Sequence, residues 1–188
     1  VDNALGRRRA QGGPYFVAAS QLGLSDAFET AATDAADAIS RWEALRDVLR
    51  LLPLESPMDQ YRVTSGFGRR TDPINGRPAM HYGLDLAHAM SAPILATSPG
   101  KVVFSGWKGN YGRFVEIDHG AGVRTRYGHL HKILVRRGET VDFRQKIGTL
   151  GNSGRSTGPH LHYEITVDGR PLNPQKFIAA GRYVLKEW

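Results

Sequence analysis

Residues 156–169, STGPHLHYEITVDG, set His160 and His162 two positions apart in a run whose apolar residues fall on every second position. Leu161, Tyr163, Ile165 and Val167 share one parity, and His160, His162, Glu164 and Thr166 share the other. Side chains two apart on a strand point the same way, so this pattern predicts a strand with one apolar and one polar face, and both imidazoles enter the same space. Neighbouring imidazoles suit metal ligation or proton transfer. An HxH pair by itself is weak evidence, and two surface histidines on a half-buried strand are the commoner case.

A second stretch, AMHYGLDLA, places His81 and Asp85 four residues apart. Gly83 and the Pro-containing flank argue against a helix, so the pair is expected on a strand or loop. The chain contains no cysteine, so any zinc here must be held by histidine and carboxylate. His81, Asp85 and one later histidine make three protein ligands and leave a fourth position open, which is a catalytic arrangement. The competing reading has Asp85 capping a turn and His81 packing beside Tyr82. It is weakened because both groups need partners if buried. A third stretch, TRYGHLHKILV, offers a rival HxH pair, His129 and His131. His129 is in phase with Val123 and Tyr127, and the sequence leaves open which pair supplies the ligand.

The elements that position these residues differ along the chain. From Ser25 to Leu52 the residues Phe28, Ala32, Ala35, Ile39, Trp42, Leu45, Leu49 and Leu52 recur at intervals of three and four, which predicts an amphipathic helix whose stripe packs on a neighbouring domain or another helix. Ser25 and Asp26 suit its start, and Pro53 and Pro57 end it, with PLESPMD as linker. The preceding RRRAQGGPY reads as turn-rich and mobile. After Pro57, short runs rich in Val, Ile, Tyr and Thr are separated by Gly, Pro, Asp or Asn, predicting an antiparallel β domain with hairpin turns at DHGAG and VDGR. The expected division is a helical segment over 1–55 and a mainly β domain over 56–188.

Charge follows the same division. Residues 1–55 hold 6 Lys+Arg against 8 Asp+Glu, net −2, and residues 56–188 hold 19 against 10, net +9. The basic part favours anionic partners, whether nucleic acid, a membrane surface or a cell-wall polymer, and composition does not choose among the three. No helix-turn-helix or RNA-binding aromatic signature accompanies it, so nucleic acid is not expected. No apolar run reaches the ~18 residues needed to span a bilayer. The first residues lack the apolar core of a signal peptide, and a start at Val1 reads as a processed or trimmed chain.

HYGLD, YGHL and STGPHLHYEI, in that order with glycine-rich hairpins between, resemble the lysostaphin and LytM family of zinc metallopeptidases, which cut peptide cross-links in bacterial peptidoglycan. The similarity covers roughly residues 60–175, including SGFGRRTDP, GKVVFSG and IGTLGNSGRSTGPH. It implies a mainly β, antiparallel LytM-like catalytic domain preceded by the amphipathic helix. Carried over position by position, it implies that His81, Asp85 and His162 bind Zn2+ and that His129 and His160 are the catalytic pair. His131 is then a bystander, and His88 and His119 are surface or turn residues. Asn75 and Arg155 lie on turn-rich loops that either line a groove or simply form turns. The implied substrate is the peptidoglycan stem peptide, in the bacterial envelope, periplasmic or extracellular, with other envelope proteins as partners for the helix. A noncatalytic wall-binding module or an activator of cell-wall amidases is the alternative within the same fold.

Overall fold

The computed structural model describes residues 26–73 and 75–184. Ser25 and the RRRAQGGPY stretch lie outside the described residues. The first element is helix α1, Asp26–Leu51, with Asp26 and Glu29 in its first turn and Arg50 in its last, charges that complement the helix dipole. The chain divides into two compact units between Leu45 and Arg46, inside this helix.

No residue of α1 is buried among the described residues, and Phe28, Ile39, Trp42 and Leu45 are each half or more exposed. Strong helix formers, Ala at seven positions between 27 and 44 and the Leu and Arg residues after it, favour helix locally without a core along its length. Burial begins beyond it. Pro53 and Leu54 are buried, Ser98 Oγ donates a 2.7 Å hydrogen bond to the Arg50 carbonyl, and Gly181 leaves no room for a side chain against the Leu54 backbone.

The strands of the second unit all pair antiparallel. Its strands are β1 (Arg62–Ser65), β2 (Gly68–Thr71), β3 (Pro78–His81), β4 (Leu84–Ala87), β5 (Pro93–Leu95), β6 (Gly100–Trp107), β7 (Arg113–Gly120), β8 (Val123–Leu130), β9 (Lys132–Ile133), β10 (Thr140–Val141), β11 (Lys146–Thr149), β12 (Leu161–Val167) and β13 (Arg170–Leu172), followed by helix α2 (Pro174–Val184). The main sheet runs β1-β4-β12-β8-β7-β6-β10, with β13 also paired to β12; β5-β11-β9 and β2-β3 form smaller sheets. Both expected hairpins are present. Ala121–Gly122 joins β7 to β8 and Asp168–Gly169 joins β12 to β13, each turn with positive φ at both central residues, the conformation that suits the right-handed twist of the flanking strands.

Leu84, Leu86, Ile117, Tyr127, Leu161, Tyr163 and Ile165 fill the core on one side of the sheet. The other side of β12 carries the polar parity, yet His162, Glu164 and Thr166 are buried too. This polar face is covered by side chains from neighbouring strands and by the segment around Tyr111, so that alternation in the sequence reports polarity rather than exposure. His119 is likewise buried, against the expectation of a surface or turn residue. It sits on β7 one position from the turn and is held by the Pro99 carbonyl at Nδ1 and Thr125 Oγ1 at Nε2, both at 2.7 Å. His88 is exposed, as expected.

Candidate metal centre

The register of the main sheet assembles the site. On β4, Asp85 pairs with His162 on β12, which in turn pairs with Gly128 on β8. Cross-strand partners point to the same face, so the sheet itself sets Asp85 beside His162. His81 ends β3 and reaches the same point from the small β2-β3 sheet. Gly83, between the two, is required sterically: a Cβ there would stand 2.7 Å from His162 Cε1 and from the Tyr163 carbonyl oxygen.

His81 Nε2 lies 3.1 Å from both Asp85 Oδ1 and His162 Nδ1, and His162 Nδ1 lies 2.8 Å from Asp85 Oδ1. All three residues are buried. Each imidazole is pinned at its other nitrogen. His81 Nδ1 donates to the Gly66 carbonyl at 2.7 Å, and His162 Nε2 is 2.9 Å from Glu164 Oε1. A carbonyl accepts only, so His81 turns the lone pair of Nε2 towards the shared point. Two imidazole nitrogens and a carboxylate oxygen converging in this way fit a zinc-type ion, with donor atoms all within 4.8 Å of one another.

Two more histidines flank the cluster. His129, the penultimate residue of β8, has φ +60, a left-handed backbone that few non-glycine residues adopt and that clusters at functional sites. Its Nδ1 donates to the Ser153 carbonyl at 2.7 Å. His160 precedes β12; its Nδ1 is held by the Gly158 carbonyl at 2.8 Å, and its Nε2 lies 3.8 Å from Asp85 Oδ1. The two rings are 4.8 Å apart. Of the two HxH pairs, the structure therefore brings His162 into the cluster, sets His160 and His129 at its edge, and leaves His131 out of the cleft lining.

The electrostatics follow from this crowding. Burial opposes the charge on Asp85, but hydrogen bonds with His162 and His81 outweigh it and hold the carboxyl well below its usual range. Burial alone would push His162 down, yet its bonds to Asp85 and Glu164 push it up to about 9. His129 is pushed down to about 4, by burial first and then by the neighbouring His160 and His162, against the bond to Ser153.

A cleft of about 460 Å³ opens over the five residues and is also lined by Arg70, Asp72, Tyr82, Tyr111 and Arg155. Arg155 grips both oxygens of Asp72 at 2.9 Å, and Arg70 lies 3.7 Å from Asp85 Oδ2. Asn75 caps the loop before β3, accepting from the Arg77 amide at 3.0 Å, and is not part of the lining. Sequence reasoning missed Tyr111, Arg126 and Glu164. The signal available was the polar parity of β12, where Glu164 follows His162 on the same face.

Residues 79–174 match the model of peptidase family M23. The chain is 42% identical over 135 residues to the peptidoglycan DD-endopeptidase ShyA of Vibrio cholerae, an alignment that covers 71% of this chain and 31% of ShyA. A zinc-containing peptidase from Vibrio cholerae superimposes with a TM-score of 0.60 at 41% identity, over 65% of this chain and 38% of that one. The catalytic domain of lysostaphin from Staphylococcus simulans does so with a TM-score of 0.59 at 34% identity, over 63% of this chain and 92% of that domain. The chain spans about a third of the length of the curated relatives it matches. The family match covers the β3–β13 region that carries the HxxxD and HxH residues, and with the LytM-like antiparallel fold it establishes that this chain belongs to peptidase family M23.

Proposed function

We propose that this chain is the catalytic part of a zinc metallo-endopeptidase that hydrolyses D,D peptide cross-links of bacterial peptidoglycan, working in the cell envelope on the periplasmic or extracellular side. The observation that carries this reading is the meeting of His81 Nε2, Asp85 Oδ1 and His162 Nδ1 at one point beneath an open cleft. It is supported by the names of relatives such as ShyA, a DD-endopeptidase, and by a zinc-containing structural neighbour. No described helix is long and apolar enough to cross a membrane.

His81, Asp85 and His162 would hold the ion. Zinc in such a site lowers the pKa of a bound water and polarises the scissile carbonyl as a Lewis acid. The remaining work falls to the protein. His129, pushed down to about 4 with its Nδ1 committed to Ser153, is a neutral imidazole at neutral pH with a lone pair on Nε2. His160 has its Nδ1 committed to Gly158 and turns Nε2 towards the cluster. The pair shares two tasks: taking the proton of the attacking water and returning it to the leaving amine, and stabilising the developing oxyanion. Arg70 and Arg155 line the cleft, and the +9 charge of residues 56–188 complements stem-peptide carboxylates. The exposed apolar residues of α1 support its reading as a regulatory or docking element for other envelope proteins.

The test is digestion of isolated walls cross-linked directly from D-alanine to diaminopimelate, alongside walls with glycine bridges, with the new amine identified by mass spectrometry. A freed diaminopimelate amine is expected. Cleavage within glycine bridges would reassign the bond, and no cleavage of either wall by the zinc-loaded protein would overturn the enzymatic reading.

A further inference from the structure

A charged ladder lies directly behind one member of the metal cluster. Glu164 on β12, Arg126 on β8 and Glu116 on β7 are successive cross-strand partners, two residue pairs further along the sheet than His162 and Gly128 and so on the same face. Glu164 is 1% exposed, and both of its oxygens are occupied. Oε1 lies 2.9 Å from His162 Nε2 and accepts from the Tyr111 hydroxyl at 2.8 Å, while Oε2 accepts from Arg126 Nη1 at 3.1 Å. Arg126 Nε donates to Glu116 Oε1 at 2.9 Å, and Lys108 Nζ donates to Glu116 Oε2 at 3.3 Å. Gly128 makes the space: Tyr111 lies over it, and a Cβ there would be 3.3 Å from Tyr111 Cδ1 and 3.5 Å from His162 Cβ.

Burying a carboxylate this deeply is costly unless donors surround it. A ladder serving only to join strands would end at the Arg126 and Tyr111 bonds. Glu164 instead spends an oxygen on His162. The other histidines of the site differ here: His81, His129 and His160 direct their second nitrogen at the neutral carbonyls of Gly66, Ser153 and Gly158. Among these four rings only His162 has a carboxylate behind it. A carboxylate fixes the ring with its proton on Nε2, aims Nδ1 at the ion and makes that nitrogen a stronger donor than a carbonyl partner does.

We infer that Glu164, clamped by Arg126 and Tyr111, is a positioning residue that orients His162 and strengthens it as a metal ligand relative to His81. The inference rests on the metal-site reading proposed above and adds to it a residue outside the three proposed ligands.

Zinc dissociation constants measured by chelator competition on the full chain test this. Glu164→Gln keeps the shape and removes the charge, and zinc affinity should fall ~10- to 100-fold. Thr166→Val is the control. Thr166 is the next residue on the same buried face, its hydroxyl has no hydrogen-bond partner, and its replacement should leave the zinc affinity unchanged. A loss of affinity from general loosening of the strand would appear in both variants. The second readout is the His162 Nε2 proton in the NMR spectrum of the zinc-loaded protein, expected far downfield in the wild type and shifted upfield in Glu164→Gln. If Glu164→Gln does not fold, Tyr111→Phe decides, since it removes one clamp and should weaken zinc binding by a smaller factor. Unchanged zinc affinity in the folded Glu164→Gln variant, or in Tyr111→Phe where that variant decides, overturns the inference. Failure of the wild type to bind zinc would instead overturn the metal-site reading.

Discussion

His81 and His162 present different nitrogens to one another: Nε2 of the first lies 3.1 Å from Nδ1 of the second. The difference has a structural origin. His81 is pinned at Nδ1 by the Gly66 carbonyl on one side of the site, and His162 is pinned at Nε2 by Glu164 on the other, so that the free nitrogens meet between them. Two rings 81 residues apart in the chain are thus oriented by partners that neither shares.

Three single replacements separate the roles within the histidine group. His162→Ala removes one of the converging donors, so zinc content and cleavage rate should both collapse. His160→Ala should keep zinc while lowering turnover ~100-fold or more, the scale of a lost acid-base or oxyanion group. His131→Ala, outside the cleft lining, should change neither. Metal analysis and cleavage rates are measured side by side. A zinc-free His160 variant together with a zinc-loaded His162 variant would exchange the two assignments.

Zinc binding should weaken as the pH falls. His162, pushed up to about 9 because its bonds to Asp85 and Glu164 overcome the effect of burial, carries a proton below that value and must release it to bind the ion through Nδ1. Apparent affinity should drop by up to ~tenfold per pH unit over this range. His129, pushed down to about 4, is already neutral there and contributes no such slope, so His129→Ala should retain it. Equilibrium dialysis across the pH range checks this, and a flat affinity profile would contradict it.

Gly83→Ala should harm the site without touching a ligand. Its Cβ would stand 2.7 Å from the His162 ring and from a strand carbonyl, so β4 or the ring must shift. We expect a destabilisation of ~1–3 kcal/mol and a weaker zinc site. Thermal unfolding and zinc titration report the two effects, and wild-type values in both would show that the close approach is dispensable.

Where the chain can be cut follows from burial. A protein beginning at Arg46 keeps Arg50, Pro53 and Leu54 and should fold and bind zinc. One beginning at Ser56 loses Leu54 and the Arg50–Ser98 hydrogen bond and should melt at a lower temperature. Equal melting temperatures for the two would show that this segment adds nothing to the fold.

Much of this protein is written in short-range patterns. The alternation in residues 160–167, the Ala-Gly and Asp-Gly turns, and the His81–Asp85 spacing are each read within a few residues, because side-chain period and turn chemistry are local properties of the backbone. They determine an antiparallel β unit carrying metal-ligating residue types. Other features depend on register between strands far apart in sequence. The pairing of His162 with Asp85, the position of His160 at the edge of the cluster, the burial of His119, and the Glu164–Arg126–Glu116 ladder all belong to this class. The exposed stripe of α1 shows the converse limit: helical periodicity states which residues share a face, and only tertiary packing decides whether that face is covered. His162 and Glu164 look alike in the sequence as polar residues on one strand. The neighbouring strands make one a metal-ligand candidate and the other its buried partner, because a charge removed from water is held only where donors from several strands converge on it.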